Sequence, residues 1–377
     1  MKHRRGHGEG SIYQRSDGRW VGAVHLGWEN GKRQRRVVYG KTQALARAEL
    51  RKAQQQVDVG LPQPDGTLTV TDVVHRWLDV LAGKVSLNTI DNYSTIARLH
   101  VLPTLGRIKL ARLTPAEVQA LLTSKQAEGY SASTVRRIRA VLVQAIKQAE
   151  RWGLAHRNVA ALTDGPRMAK REGRSLTIEQ ARVLLNTAKG DRLEALYVVL
   201  LSLGLRRGEA LGLAWGDLDL DTHTLIVRQA LKREGGVLVL GTVKTAGSRR
   251  ALNIPSTVAD TLRAHRRRQA DERLAAGSAW TDTGLVFTTT IGTPIDPANF
   301  RHCFAHLCQR AGLGHWHPHE LRHSAASLML AQGVPLEVVS EILGHASIRM
   351  TKDVYGHIMA PQRQAAADAM GQALWGA

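Results

Sequence analysis

The sequence predicts a mainly α-helical multidomain protein: a small N-terminal three-stranded sheet plus helix, a helical domain, and a mixed α+β, mostly α, C-terminal domain. Three observations predict it. The 377 residues call for more than one domain, at roughly 100–200 residues each. Apolar residues recur at helical spacing through most of 71–152 and through much of the chain after 177. β-forming runs bounded by turn residues are confined to 11–39 and 224–255.

Residues 11–15, 19–26 and 32–39 read as strands, separated by Ser16-Asp17-Gly18 and by the hairpin signal Asn30-Gly31. From Thr42 the run QALARAELRKAQQQ has the Ala, Leu and Glu content of a helix, ending near Gly60. So small a sheet needs few charges for solubility, yet it carries Arg15, Arg19, Arg33, Arg35 and Arg36 beside Trp20. Laid in a DNA major groove, such a sheet would use them all. Leu61-Pro62-Gln63-Pro64-Asp65-Gly66 then reads as a linker.

Four amphipathic segments follow. The first places Val73, Val74, Trp77, Leu78 and Leu81 on one face, and the second, 88–101, does so with Tyr93, Ile96, Leu99 and His100. Thr114-Pro115-Ala116-Glu117 is a helix start: N-cap, proline in the first turn, glutamate at the third position. The fourth, 133–152, carries an apolar stripe of Val135, Ile138, Val141, Leu142, Ala145 and Ile146, with Arg136, Arg137, Arg139 and Lys147 opposite. Residues 158–175 lack a period and hold Arg167, Lys170, Arg171 and Arg174, so they read as an extended basic linker. Thr177-Ile178-Glu179-Gln180 opens the last domain with a capping box. That domain reads as helical to about Trp215, as strands over 224–255, and as helices thereafter. Its strands 240–244 and 249–254 read as a hairpin around Thr245-Ala246-Gly247-Ser248, with Lys244 beside the turn. The domain boundaries expected are 1–62, 67–157, a linker over 158–175, and 176–377.

Lysine and arginine total 52 against 32 acidic residues, a net charge of +20. By segment the excess is +8 over 1–62, +5 over 63–165 and +7 over 166–377. Every part is basic, as if the whole length followed a polyanion. With 43% hydrophobic residues the chain can build cores, which argues against disorder. No apolar stretch approaches the ~20 residues a bilayer needs, and the two cysteines, Cys303 and Cys308, exclude a disulfide framework. A soluble cytoplasmic protein with no membrane association is the expectation.

Five features carry chemistry. Gly204-Leu205-Arg206-Arg207-Gly208-Glu209-Ala210-Leu211 follows an apolar run; Lys244 lies near a turn; His317-Pro318-His319-Glu320-Leu321-Arg322-His323 is the densest cluster; Leu343-Gly344-His345 lies ten residues before Tyr355. His319-Glu320-x-x-His323 matches the zinc-peptidase pattern H-E-x-x-H, with Glu320 as general base. Against zinc, Pro318 starts a helix, so His319 falls in its first turn, and Arg322 would set a positive charge beside the metal. The ordered set Arg206, Lys244, His319, Arg322, His345 and Tyr355 explains more. Two guanidiniums clamp the non-bridging oxygens of a phosphodiester; losing one such donor typically costs about 2.7–4 kcal/mol of transition-state stabilisation. A histidine in reach takes the tyrosine proton, and a lysine protonates the leaving oxygen. None of this needs a metal or another cofactor.

On these residues the chain resembles the tyrosine recombinase (phage integrase) family. Gly204, Arg206, Glu209 and Leu211 match its G-x-R-x-x-E-x-L box, and His319, Leu321, Arg322 and His323 match H-x-L-R-H. His345 matches L-G-H, Tyr355 the nucleophile, and Lys244 the hairpin lysine, preferred over Lys232 because it precedes the turn. The resemblance implies a lambda-integrase-like layout: an arm-type DNA-binding domain over 1–62, a core-binding SAM-like domain over 67–157, and a catalytic domain from 176. It further implies cleavage and rejoining of DNA through a 3′-phosphotyrosyl intermediate, with Glu209 and His323 in support and neither metal nor cofactor. Core- and arm-type attachment sites, a homotetramer on DNA, an excisionase and a host DNA-bending protein are the implied partners, and the nucleoid of a prokaryotic host the implied location. A type IB topoisomerase shares the chemistry but has no use for a second class of site.

Overall fold

The structure, a computed structural model, describes residues 11–29, 32–58, 67–168, 173–242, 249–345, 347–348, 352 and 360–376. They fall into two compact units, Met1–Met168 and Ala169–Ala377.

The first unit opens with β1 (Ser11–Gln14), β2 (Trp20–Glu29) and β3 (Lys32–Gly40), an antiparallel sheet in the order β1-β2-β3. Helix α1 (Gln43–Asp58) covers one face, where Val24, Ala46 and Leu50 are buried. Glycines let the helix sit close: a Cβ on Gly40 would come within 2.4 Å of the Ala46 nitrogen.

Helix α2 (Val70–Leu81) starts at a capping box in which Thr69 and Asp72 satisfy each other's backbone N–H groups. Its Trp77 stacks on Tyr93 of α3 (Leu87–Ile96), ring centroids 5.3 Å apart. Helix α3 runs on through a π turn, Ala97–Val101, into α4 (Leu102–Leu105). A π turn inserts one residue and rotates the apolar face, so Leu99, expected near the core, is instead exposed. Helix α5 (Pro115–Ala127) begins at the Thr114–Glu117 capping box, and α6 (Ala132–Arg151) buries the whole apolar stripe read from its sequence. The segment after α6 is not extended from its start: Val159–Leu162 forms a short 3₁₀ helix whose Ala160 enters the core. Asn158 caps it and also donates from Nδ2 to the Val143 carbonyl at 2.8 Å.

The second unit comprises α7 (Ile178–Ala188), α8 (Glu194–Leu203) and α9 (Arg207–Leu211). Strands β4 (Leu218–Asp219), β5 (Thr224–Val227), β6 (Gln229–Glu234), β7 (Val237–Thr242) and β8 (Arg250–Asn253) follow. Then come α10 (Ser256–Ala276), α11 (Pro297–Arg310), α12 (Pro318–Ala331), α13 (Leu336–Leu343) and α14 (Ala360–Trp375). Helix α8 is apolar on nearly every side because α7, α10 and α12 pack around it. The strand pairing differs from the expected hairpin. β7 pairs with β6, and β8 pairs with β5 in the sheet β4-β5-β8. The turn that decides this is Gly235-Gly236, both at positive φ (55° and 84°), the geometry a two-residue hairpin loop needs. None of the described helices is long and apolar enough to cross a membrane.

Candidate active site

The site is built where α8 stops. Gly204 ends that helix in the left-handed conformation, φ +60°, and turns the chain so that Arg206 precedes α9. No other residue fits, since a Cβ there would come within 2.6 Å of Leu343 Cδ2. Arg206 is partly exposed, and its guanidinium is gripped from one side: Nη1 donates to Glu209 Oε1 at 2.7 Å and Nη2 to the Gly344 carbonyl at 3.2 Å. Glu209 also accepts from the Arg206 backbone N–H through Oε2, 3.0 Å.

Glu209 is itself nearly inaccessible, and its second charged partner is Arg250 of β8, Nη2 to Oε2 3.0 Å. Burial pushes the Glu209 carboxyl up, but the Arg250 charge and the hydrogen bonds from Arg250 and Arg206 outweigh it. The carboxylate is held below its usual range and stays charged. Arg250 reaches further, Nε donating to the Ile342 carbonyl at 2.6 Å. Arg322, on the inward face of α12, donates from Nη1 to the Gly204 carbonyl at 2.8 Å and from Nη2 to the Leu343 carbonyl at 2.7 Å. The carbonyls of Ile342, Leu343 and Gly344 therefore each receive one guanidinium, from Arg250, Arg322 and Arg206 in turn. These are the orphan acceptors at the negative end of α13, where cations are favoured.

His345 follows directly. Gly344 at φ +64° closes α13 and delivers it. Burial, then the charges of Arg322, Arg206 and Arg250, push the His345 imidazole down to about 4, so it is neutral at pH 7. His319 and His323 lie one turn apart at the start of α12, ring centroids 4.9 Å apart and nearly perpendicular. Burial lowers both, with the Arg322 charge adding to it in each case and the His323 ring beside His319 adding further. The zinc-peptidase reading is not supported by this geometry. Glu320 is turned away to cap α12, accepting the His317 backbone N–H at 2.6 Å, and among the described residues no three potential ligands cluster.

The structure thus brings together Arg206, Glu209, Arg322, His345 and, through α12, His319 and His323. Lys244, Tyr355, Lys170 and Arg171 lie outside the described residues. Lys232, the other strand lysine, is paired with Glu234 at 2.6 Å. In the first unit Arg15 and Arg19 are exposed at the turn between β1 and β2, Arg35 is exposed on β3, and Arg136 and Arg137 are exposed on α6. Arg33 and Arg36 stand in β3 opposite Trp28 and Val24, with side chains outside the described set. Arg139 is committed elsewhere: Nε donates to the Thr163 carbonyl at 3.0 Å and Nη2 to the Ala161 carbonyl at 3.0 Å, which ties the 3₁₀ segment to α6.

Two features escaped the sequence reading. Arg250 sits at an inward position of β8, alternating with exposed Ala251 and followed inward by buried Leu252; a lone arginine in phase with an apolar strand face was the signal. On the face of the N-terminal sheet away from α1, Tyr13, Val21 and Tyr39 lie side by side across the three strands. The tyrosines are exposed and Val21 beneath them is buried.

Comparison with known proteins shows the family to which the chain belongs. Residues 174–361 match the Phage integrase family, and residues 69–126 match the Phage integrase N-terminal SAM-like domain. An integrase of Streptomyces ambofaciens is 33% identical over 387 residues, spanning 98% of this chain and 97% of the relative. Among solved structures, the Tn1549 transposon integrase in complex with transposon right end DNA is similar at TM-score 0.69 and 20% identity, covering 81% of this chain and 99% of that one. A lambda integrase tetramer bound to a Holliday junction is similar at TM-score 0.57 and 18% identity, covering 93% and 96%. At such identities the likeness to these structures is one of fold.

Proposed function

Since the chain belongs to the phage integrase family and is a tyrosine site-specific recombinase, we propose a residue-level mechanism in which Tyr355 is the nucleophile. Its hydroxyl oxygen attacks the scissile phosphorus, the bond to the 5′ oxygen breaks, and Lys244 gives that oxygen its proton. The product is a 3′-phosphotyrosyl ester and a free 5′ hydroxyl. Attack by the 5′ hydroxyl of a partner strand reverses the step, restores a phosphodiester and frees Tyr355. The ester conserves the bond energy, so no nucleotide is consumed. Arg206 and Arg322 neutralise the charge that builds on the non-bridging oxygens, and neutral His345 adds an N–H donor. His319, held neutral at pH 7 by its surroundings, is able to take the tyrosine proton.

The observation that carries this reading is the set of adjacent anchors at the end of α13, where Arg206, Arg322 and His345 meet within three residues of chain, 343–345. Two guanidiniums oriented by backbone carbonyls, beside a neutral imidazole, form a ready anion site. Substrate recognition would be divided by domain. Residues 1–62 would read an arm-type site through the sheet face that bears Tyr13, Tyr39 and Arg35, and residues 67–157 would grip the core site with α6, where Arg136 and Arg137 are exposed. Four protomers on two core sites would exchange strands in pairs, as the lambda tetramer on a Holliday junction suggests. An excisionase and a host DNA-bending protein would set direction, and the work would be done on the nucleoid, in the cytoplasm.

A nicked suicide duplex spanning one end of the element that carries the gene tests the mechanism. The wild-type chain forms a detergent-resistant covalent complex with it, in EDTA as without, and Tyr355→Phe forms none. Covalent trapping by Tyr355→Phe would remove Tyr355 from its role. Loss of wild-type trapping in EDTA would return a metal to the mechanism.

A further inference from the structure

We propose that Arg250 is a positioning residue for strand cleavage, the buried brace that sets both Arg206 and the His345 turn. The inference rests on the mechanism above and extends it to a residue no motif marks.

Arg250 is 8% exposed, and inside the protein its guanidinium meets targets on different elements. One is Glu209, which holds Arg206 by side chain and backbone together. The other is the Ile342 carbonyl in the last turn of α13. A third contact is steric: a Cβ on Gly344 would come within 2.8 Å of Arg250 Nη1, so the guanidinium packs against the turn that presents His345. One side chain therefore fixes the distance between α9, which follows Arg206, and the chain that leads to His345.

The arrangement separates two duties. Arg206 and Arg322 each spend part of their donors on a backbone carbonyl and are the cations proposed to meet the phosphate. Arg250 takes the remaining carbonyl of the trio and supplies the counter-charge that keeps Glu209 ionised in the interior. Without it, Glu209 would be a buried carboxylate held, among the described residues, by Arg206 alone. It would either take up a proton or pull Arg206 inward, away from substrate. Either way the clamp loses its preset geometry while every group proposed to touch DNA remains in the chain. A defect in the chemical step with intact DNA binding is the signature to look for.

The test uses Arg250→Gln and Arg250→Lys in the full chain, with the same nicked duplex. At saturating DNA, Arg250→Gln should slow covalent trapping by about 30-fold or more, while the DNA dissociation constant stays within about 3-fold of wild type. Arg250→Lys, which keeps the charge but cannot span Glu209 and Ile342 together, should recover part of the rate. A second readout needs no substrate. Arg322, Arg206, Arg250 and His323 all depress His345, so Arg250→Gln should raise the His345 titration midpoint seen by NMR, and a residue that only fills space would leave it unmoved. Trapping by Arg250→Gln at a rate within 3-fold of wild type, or an unmoved His345 midpoint, overturns the proposal. If Arg250→Gln does not fold, Arg250→Lys is read on both measures, and wild-type behaviour on both overturns it equally. If the wild-type chain itself traps nothing, the mechanism fails first, and the His345 titration still decides whether Arg250 braces the turn.

Discussion

Replacing Glu209 with glutamine removes one charge from the centre of the arginine network and leaves its shape. At the 3.0 Å contact between Arg250 and Glu209, two charges at an effective dielectric near 20 attract by roughly 5 kcal/mol, part of which offsets desolvation. Breaking a buried pair by removing one partner costs about 3–5 kcal/mol. Glutamine regains about 1 kcal/mol as a neutral acceptor, so a net loss of about 3 kcal/mol is expected. With a urea dependence near 3 kcal/mol per molar, the midpoint of the second unit's unfolding should fall by about 1 M. The pH dependence carries the sign. The folded carboxyl lies below its ordinary value of 4.5, so its contribution is fully present above that pH and is lost as pH falls through the folded value. The gap between wild type and Glu209→Gln should stay constant from pH 7 down to about 5 and then close. Trapping should slow by about 10–100-fold, since Arg206 keeps its charge and loses its anchor. An unfolding midpoint within about 0.2 M of wild type, with trapping within about twofold, would refute the claim that this pair organises the site.

Three further outcomes are expected from the same structure. Gly204→Ala places a methyl 2.6 Å from Leu343 Cδ2 at φ +60°; left-handed strain plus overpacking should destabilise the second unit by about 2–4 kcal/mol, and an unchanged melting temperature would show that the turn is not so confined. Arg136→Ala should reduce the slope of log K against log salt for DNA binding by about 1 without loss of stability; Arg139→Ala should do the reverse, because its guanidinium holds the Ala161 and Thr163 carbonyls, and denaturation paired with salt titration separates the two. His265 is buried, its Nδ1 facing Arg268 Nη2 at 3.2 Å and its Nε2 the Val286 carbonyl at 2.7 Å. A guanidinium only donates, so Nδ1 accepts, Nε2–H donates and the ring is neutral. Burial lowers its pKa below 6.5, so the unfolded chain takes the proton first, and stability falls as pH drops through 6.5. His265→Gln should flatten the pH dependence between 6.5 and 5.5 by up to about 1.4 kcal/mol per pH unit; an unaltered slope would mean His265 titrates normally in the fold.

What was legible in the sequence follows from how local each signal is. The helices of the first unit were readable because a capping box and a 3.6-residue apolar period each lie within a few residues: Thr114 to Glu117, and Val135 to Ile146. The boxes around Arg206 and His319 stood out because Arg206 and Glu209, or His319 and His323, share one turn of helix. The errors arose where distance decided. Nothing near 250–253 tells β8 to pair with β5 and not with β7, which the local Gly235-Gly236 turn has already paired with β6. Leu99 faces solvent because one π turn shifts the register, and no propensity marks it. Arg250's inward phase on its strand was legible, but its partners were not, because Glu209 and Ile342 are 41 and 92 residues away.

The dispersed network also explains how a tiny site can rest on so little local structure. Helix α9 spans only five residues and α13 only eight, too short to hold a geometry by their own hydrogen bonds. Each is pinned at the end that matters by charged bonds from elsewhere in the fold: α9 through Glu209, α13 through the carbonyls of 342–344. Guanidiniums suit this work because each offers five donors in a rigid plane, enough to anchor on protein and still present an edge to a phosphate. Lysine, a point charge on a flexible stem, could bind the same phosphate but could not also be held in one plane by two fixed acceptors, as Arg206 is by Glu209 and Gly344 and Arg322 by Gly204 and Leu343. Lysine at 206 or 322 would therefore keep the charge and lose the aim. Arg322→Lys should thus retain DNA affinity within a few-fold while trapping falls by about 100-fold or more; parallel losses in both would mean that charge, not orientation, is what the site supplies.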